Sequence, residues 1–272
     1  MGKITSFLQP EDQAANAAML QRGHVIQAVE NRDGLDAIRD LAAHAAARHL
    51  GVSPPNDPER FLNGIGEHVD ATTLNDLRIS VINALRSEDW FRPTYFSLAR
   101  EALFKIVGNE IAMQRGVGLS VQLPNDDSSL LPVHADTWDG DSPYEVVVWV
   151  PLVDCFRTKA MYLLTPDKQT AHLKTMASNN SAETFFKSIE DDVEYISIDY
   201  GNVLIFRLDL PHGNRVNTET EARWSMNCRF KSVLTPFADK QLGEFFEPII
   251  IRPATKVGMT YELPGGFGGA GQ

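Results

Sequence analysis

Hydrophobic and polar positions alternate with two different periods along this chain. Through residue 108 the apolar residues keep helical spacing. Leu35, Ile38, Leu41 and Ala45 share one helical face, and Gly51 with Pro54-Pro55 stops that run. Asp70 is placed to cap a second helix whose apolar face is Leu74, Leu77, Val81 and Leu85. A third helix is predicted from Pro93, a favourable first-turn residue, to Val107, where Gly108-Asn109 can end it. Residues 23–29 alternate instead, and read as a short edge strand ahead of these helices.

After residue 109 the texture is that of strands. Segments 111–123, 144–152, 160–164, 195–199, 203–207 and 224–233 are rich in Val, Ile, Leu and aromatics. Turn clusters separate them, among them Pro124-Asn125-Asp126-Asp127, Asp139-Gly140-Asp141-Ser142-Pro143 and Pro211-His212-Gly213-Asn214. Residues 182–189 form an amphipathic insert that reads as a helix. Helices followed by short antiparallel strands predict an α+β protein built on a sandwich or barrel. The expected organisation is one unit in three stretches: a mainly helical region at 1–108, a β core at 109–236, and a C-terminal strand with a flexible tail at 237–272.

Composition narrows the function classes. With 43% apolar and 22% charged residues, the chain has the mix of a folded soluble protein. A formal net charge of -11 argues against nucleic acid as a partner, because phosphate demands a basic face. Cys155 and Cys228 make neither a disulfide framework nor a thiolate metal cage, which points to a reducing, cytoplasmic setting. No membrane partner is expected, and monomer and homodimer stay equally open. Gly2 and Ser6 match a myristoylation pattern too short to carry weight. The G-x-G-x-x-G at 266–271 follows no strand and precedes no helix, so it reads as a flexible end rather than a dinucleotide site.

The candidate chemistry begins with His134-Ala135-Asp136. Residues two apart on an extended chain point the same way, so His134 and Asp136 can grip one ion from one side. A third ligand from another strand would complete a two-histidine, one-carboxylate set with open positions on one face, the arrangement that suits iron(II) oxygen chemistry. His212 is that candidate, in a loop after the buried strand Gly201-Asn202-Val203-Leu204-Ile205-Phe206. Arg223 and Ser225 follow, sharing a face of the next strand. Arg229 lies at an even offset from Arg223, so parity leaves it as a competitor, and Arg215 is a second one.

H-A-D, G-N-V-L-I-F, P-H-G-N with Asn217, and R-W-S before N-C-R-F together resemble the 2-oxoglutarate and iron(II)-dependent oxygenases. Within them the closer likeness is to the phytanoyl-CoA hydroxylase-like branch, over residues 119–233. The resemblance implies a double-stranded β-helix, the jelly-roll or cupin-like barrel, buttressed by N-terminal helices. It implies that His134, Asp136 and His212 hold iron(II), and that Arg223, with Ser225 as hydroxyl partner, holds the far carboxylate of the cosubstrate 2-oxoglutarate. It also puts Trp149 beside that cosubstrate. A guanidinium fork suits a deeply placed carboxylate, which gives Arg223 a physical reason as well.

The implied activity is oxidation of a substrate C–H bond by molecular oxygen, coupled to oxidative decarboxylation of 2-oxoglutarate. Hydroxylation is the base outcome; desaturation, epimerisation and cyclisation are variants. Related halogenases lack the ligand carboxylate, so Asp136 disfavours halogenation. Residues 123–145 look similar to bacterial oxygenases of surface-carbohydrate and aminocyclitol (streptomycin-type) clusters, which suggests a sugar or sugar-derived small molecule. Gln122, Asn125, Trp138 and Lys159 are the expected substrate-lining residues: polar groups for hydroxyls, an indole face for a pyranose. Two other readings stay open, a cupin-like metalloenzyme without cosubstrate and a non-catalytic jelly-roll binding protein. Manganese would also accept the ligand set.

Overall fold

The structure, a computed structural model, describes residues 7–265. Gly2, Ser6 and the glycine-rich segment at 266–271 lie outside the described residues. The chain runs α1 (Pro10–Gln21), β1 (His24–Ala28), α2 (Arg32–Leu50), α3 (Pro58–Asn63), α4 (Leu74–Arg86), α5 (Phe91–Ser97) and α6 (Arg100–Ile106). It continues through β2 (Ile111–Gln114), β3 (Gly118–Gln122), β4 (Glu145–Pro151), β5 (Tyr162–Leu163), α7 (Pro166–Thr175), α8 (Ala182–Ile189) and β6 (Glu194–Tyr195). The last elements are β7 (Asn202–Arg207), β8 (His212–Gly213), β9 (Arg223–Ser232), β10 (Phe246–Ile250) and α9 (Pro253–Thr260). Among the described residues no helix is long and apolar enough to cross a membrane.

Two antiparallel sheets make a jelly-roll barrel. The major sheet has the order β1-β7-β4-β9-β2-β10, with β3 also on β9; the minor one is β6-β5-β8. β9 is long enough to take two partners in succession. Its first half pairs with β3, from Gln122↔Arg223 to Gly118↔Asn227, and its second half with β2. The expected single strand over 111–123 is therefore two, broken at Gly116.

Strand parity divides the core. Val146, Val148 and Val150 of β4, Val203 and Ile205 of β7, and Trp224, Met226, Cys228 and Phe230 of β9 face the helical layer. Val147, Trp149, Leu204 and Phe206 point the other way, packing against Met161, Leu163, Ile196 and Ile198 inside the barrel. That division leaves Arg223, Ser225, Asn227 and Arg229 on the inner face of β9.

The helical layer follows the predicted periodicity with two corrections. α2 is capped by the Asn31 side chain, which accepts from Gly34 N, and ends at Gly51 in the left-handed region (φ 69°). α4 buries Leu74, Leu77, Val81 and Leu85 as expected, but its cap position is Thr73. Asp70 instead folds the preceding turn, accepting from the backbone of Thr72 and Thr73. The predicted helix over 93–107 is interrupted at Leu98-Ala99, giving α5 and α6. Glu30 supplies the start of α6, its carboxylate accepting from Glu101 N at 2.8 Å and Ala102 N at 3.0 Å. A cap from so distant a residue leaves no trace in the local sequence.

Candidate metal centre

His134 and His212 come together through their backbones. Each donates its N–H to the other's carbonyl, at 3.0 Å from His134 and 2.8 Å from His212, forming an isolated antiparallel bridge. Their rings consequently lie on one side, with centroids 4.2 Å apart. Each ring is fixed by the same local device: Nδ1 lies 2.9 Å from the carbonyl two residues earlier, Pro132 for His134 and Leu210 for His212. With Nδ1 donating, the lone pair sits on Nε2, the tautomer a metal needs. Ala135 is extended (φ -123°, ψ 135°), so Asp136 falls on the same side as His134. Ligand atoms of the three residues all lie within 4.8 Å of one another.

The electrostatics keep His212 and Asp136 in ligand form. Burial pushes the His212 imidazole down to about 4, helped by the neighbouring His134, so it is neutral at pH 7. Burial alone would raise the Asp136 carboxyl; His212, Arg229 and His134 outweigh it, and Asp136 stays below its ordinary range as an anion. Arg229 donates from Nη2 to Asp136 Oδ1 at 2.8 Å.

The three residues open into a cavity of about 560 Å³, within the size range of small-molecule sites. Val147, Trp149, Met161 and Phe206 make its apolar wall. Arg223 lines it too, 5% exposed. Its one hydrogen bond is a long one from Nη2 to Ser120 Oγ (3.4 Å), and its Nε has no partner. Among the described residues no carboxylate pairs with it, and burial pulls the guanidinium below its ordinary value. Ser225 Oγ beside it is buried and unpartnered. A buried cation without a carboxylate partner and a buried hydroxyl without a hydrogen bond, on a cavity wall, form a receptor for an anion.

The remaining sequence candidates are placed elsewhere. None of Gln122, Asn125, Trp138 and Lys159 lines this cavity. Gln122 donates to Arg215 O at 2.6 Å. Asn125 takes a left-handed turn (φ 55°) and donates its N–H to Asn217 O. Trp138 packs near Phe185, with ring centroids 6.2 Å apart. Lys159, wholly buried, donates to Asn63 Oδ1 at 2.7 Å and Glu221 Oε2 at 2.8 Å. Of the competing arginines, Arg215 pairs with Glu183 away from the cavity, whereas Arg229 lies in it. Asp141, read as a turn former, is buried at the cavity and paired with Lys240 and Arg229. The period of two along β9, which kept Arg229 as a competitor, could also have flagged Asn227 as inward-facing.

A scan with protein-family models and a search among curated proteins return no match. Solved structures do match. The non-heme monooxygenase ThoJ in its nickel complex superposes with TM-score 0.53 at 13% identity, covering 85% of this chain and 82% of that one. The non-heme alpha-ketoglutarate-dependent carbocyclase SnoK from nogalamycin biosynthesis gives TM-score 0.53 at 13% identity, over 90% of this chain and 97% of its own. HygX from Streptomyces hygroscopicus, with nickel and 2-oxoglutarate bound, gives 0.50 at 12% identity, over 86% and 90%. At these identities the likeness is one of fold.

Proposed function

We propose that this chain is a non-haem iron(II) oxygenase that uses 2-oxoglutarate to oxidise a C–H bond of a small molecule. One observation carries the reading: Arg223, a buried cation without a carboxylate partner, lines the same cavity as the His134–Asp136–His212 cluster. A metal-binding protein without this cosubstrate has no use for such a cation, which burial alone disfavours. The donor set fits iron(II), with two imidazoles and one carboxylate whose ligand atoms lie within 4.8 Å of one another on the cavity wall.

His134, Asp136 and His212 would hold the metal. Arg223 and Ser225 would bind the far carboxylate of 2-oxoglutarate, the guanidinium through its fork and the hydroxyl through one further hydrogen bond. Trp149, Val147 and Phe206 exclude water along the cosubstrate, while the carbonyls of Pro132 and Leu210 hold both imidazoles in the coordinating tautomer. When bound, iron(II) and 2-oxoglutarate supply the redox chemistry: substrate, oxygen and cosubstrate give hydroxylated product, succinate and carbon dioxide. Desaturation, epimerisation and cyclisation use the same residues.

For the substrate we infer a sugar or sugar-derived molecule. The resemblance of residues 123–145 to oxygenases of carbohydrate and aminocyclitol clusters supports this, and so does a polar rim with Ser129, Asp139 and Lys240. Both cysteines are free and buried, in keeping with a reducing cytoplasm. The deciding experiment is anaerobic addition of iron(II) and 2-oxoglutarate to the apo-protein. A visible charge-transfer band, abolished in Arg223→Ala, is expected; its absence in the wild type would remove the reading.

A further inference from the structure

The proposed metal centre accounts for Asp136 as a ligand but leaves unexplained the cation bound to it. Arg229 reaches the site from β9, one strand-face repeat beyond Asn227, hydrogen-bonded through both terminal nitrogens and ion-paired, without a hydrogen bond, through Nε. Nη2 donates to Asp136 Oδ1 at 2.8 Å, and Nη1 to Gln114 Oε1 at 3.4 Å. Nε lies 3.3 Å from Asp141 Oδ1, and the Phe245 ring is 5.8 Å away.

Those two carboxylates belong to one short segment. Asp136 opens a 3-10 turn that Gly140 closes in the left-handed region (φ 84°), and Asp141 N donates back to Asp136 O at 3.3 Å. Arg229 therefore spans the segment from outside, as a brace between its two ends. Lys240 holds the far oxygen of Asp141, so the brace itself is anchored. Among the described residues, by contrast, the Asp136 carboxylate is hydrogen-bonded only to Arg229, with the His134 imidazole Nε2 3.8 Å from Oδ1. Its side chain also stands at the start of a turn rather than within a paired strand. Without the brace, nothing holds its carboxylate plane against rotation.

We propose that Arg229 is a positioning residue for the metal: it fixes the Asp136 carboxylate in the orientation that completes the ligand set with His134 and His212. This rests on the metal-centre reading above. It opposes what simple Coulomb repulsion would do, since a cation beside a metal site weakens metal binding unless orientation is the larger effect. Outer hydrogen-bond partners of metal ligands commonly govern affinity by about 10–100-fold.

The test is a titration of apo-protein with Mn(II) alone, counting free hexaaqua Mn(II) by electron paramagnetic resonance. Arg229→Met and Arg229→Lys are compared with wild type, and thermal melts check folding. Positioning predicts that both variants bind Mn(II) at least about tenfold more weakly, because lysine keeps the charge but loses the planar fork. Tighter binding in Arg229→Met with unchanged binding in Arg229→Lys would assign Arg229 a purely Coulombic effect and overturn the proposal. Unchanged affinity in both, with lowered melting temperature, would make it a structural residue and overturn it equally. If Arg229→Met does not fold, Arg229→Lys decides alone. A wild type that takes up no Mn(II) would bring down the metal-centre reading itself, a result distinct from the other two.

Discussion

His134 and His212 are hydrogen-bonded partners across a two-residue antiparallel bridge, although most of the β core separates them in sequence. The spacing of the two imidazoles is thus a property of the backbone, and each ring's rotation is set by the carbonyl two residues before it. Side-chain loss at either position should leave the bridge standing.

The first prediction follows directly. Wild-type protein should gain thermal stability in Mn(II), as any ligand that binds only the folded state confers. His212→Ala should melt close to metal-free wild type and show no Mn(II)-dependent gain. Differential scanning fluorimetry with and without the metal measures both. An undiminished gain in the variant would mean that the ion binds elsewhere.

Gly213 is confined by contact rather than by backbone conformation. A Cβ there would sit 2.6 Å from Tyr162 Oη and 2.7 Å from the carbonyl oxygen of Leu131. Gly213→Ala should cost about 1–3 kcal/mol, the usual penalty of overpacking, and weaken Mn(II) binding by shifting the adjacent His212. Combining it with Tyr162→Phe should restore part of the stability, since only the hydroxyl contact is relieved. Urea unfolding of the single and double variants gives the numbers, and a fully stable Gly213→Ala would refute the steric argument.

Arg223 carries the cosubstrate assignment. Arg223→Ala should raise the KM for 2-oxoglutarate by roughly two to four orders of magnitude, equivalent to about 3–5 kcal/mol for an abandoned buried charge. Arg223→Lys should fall between, keeping charge without the fork. Mn(II) affinity should not change in either, because no triad residue touches this side chain. A normal KM in Arg223→Ala would point to another anion receptor.

What could be read from the sequence was what local spacing encodes. His134-Ala135-Asp136 is a two-residue pattern on extended backbone, and the α2 and α4 faces are simple periodicities. Arg223 and Arg229 show where that reading stops. They share a strand face, so the pattern cannot say which meets an empty pocket and which meets Asp136; only the strands opposite decide. The same holds for α6, capped by Glu30, and for α1, where Met19 is the single buried residue and no amphipathic stripe exists to detect. Lys159 illustrates the reverse error. A lysine near a turn suggests a binding group, but its partners Asn63 and Glu221 come from segments distant in sequence.

Lys159 consequently supports a stability prediction. Lys159→Met should lower unfolding free energy by about 1–3 kcal/mol, the range for a lost buried hydrogen-bond pair, with Glu221 partly exposed and free to rehydrate. The kcat/KM for substrate should stay near wild type, since the ammonium faces α3 rather than the cavity. Loss of substrate turnover in a well-folded variant would return Lys159 to the binding surface.

Glu145 gives the pH dependence. It starts β4 with Oε1 accepting from Ser142 N at 3.1 Å, while Oε2 is buried without a partner. Burial pushes its carboxyl up from 4.5 to about 7, with Asp141 adding repulsion and the Ser142 hydrogen bond, Lys231 and Arg229 pulling the other way. A carboxyl raised on folding binds its proton more tightly in the native state. Its contribution to stability is therefore complete below about pH 4.5 and drains away as pH climbs through about 7. Glu145→Gln stays neutral throughout and can still accept from Ser142. The melting temperature of the variant should accordingly gain on wild type across that window and run parallel above it. Parallel curves over the whole range would show that Glu145 titrates alike in both states, and that Lys231 compensates the buried charge in full.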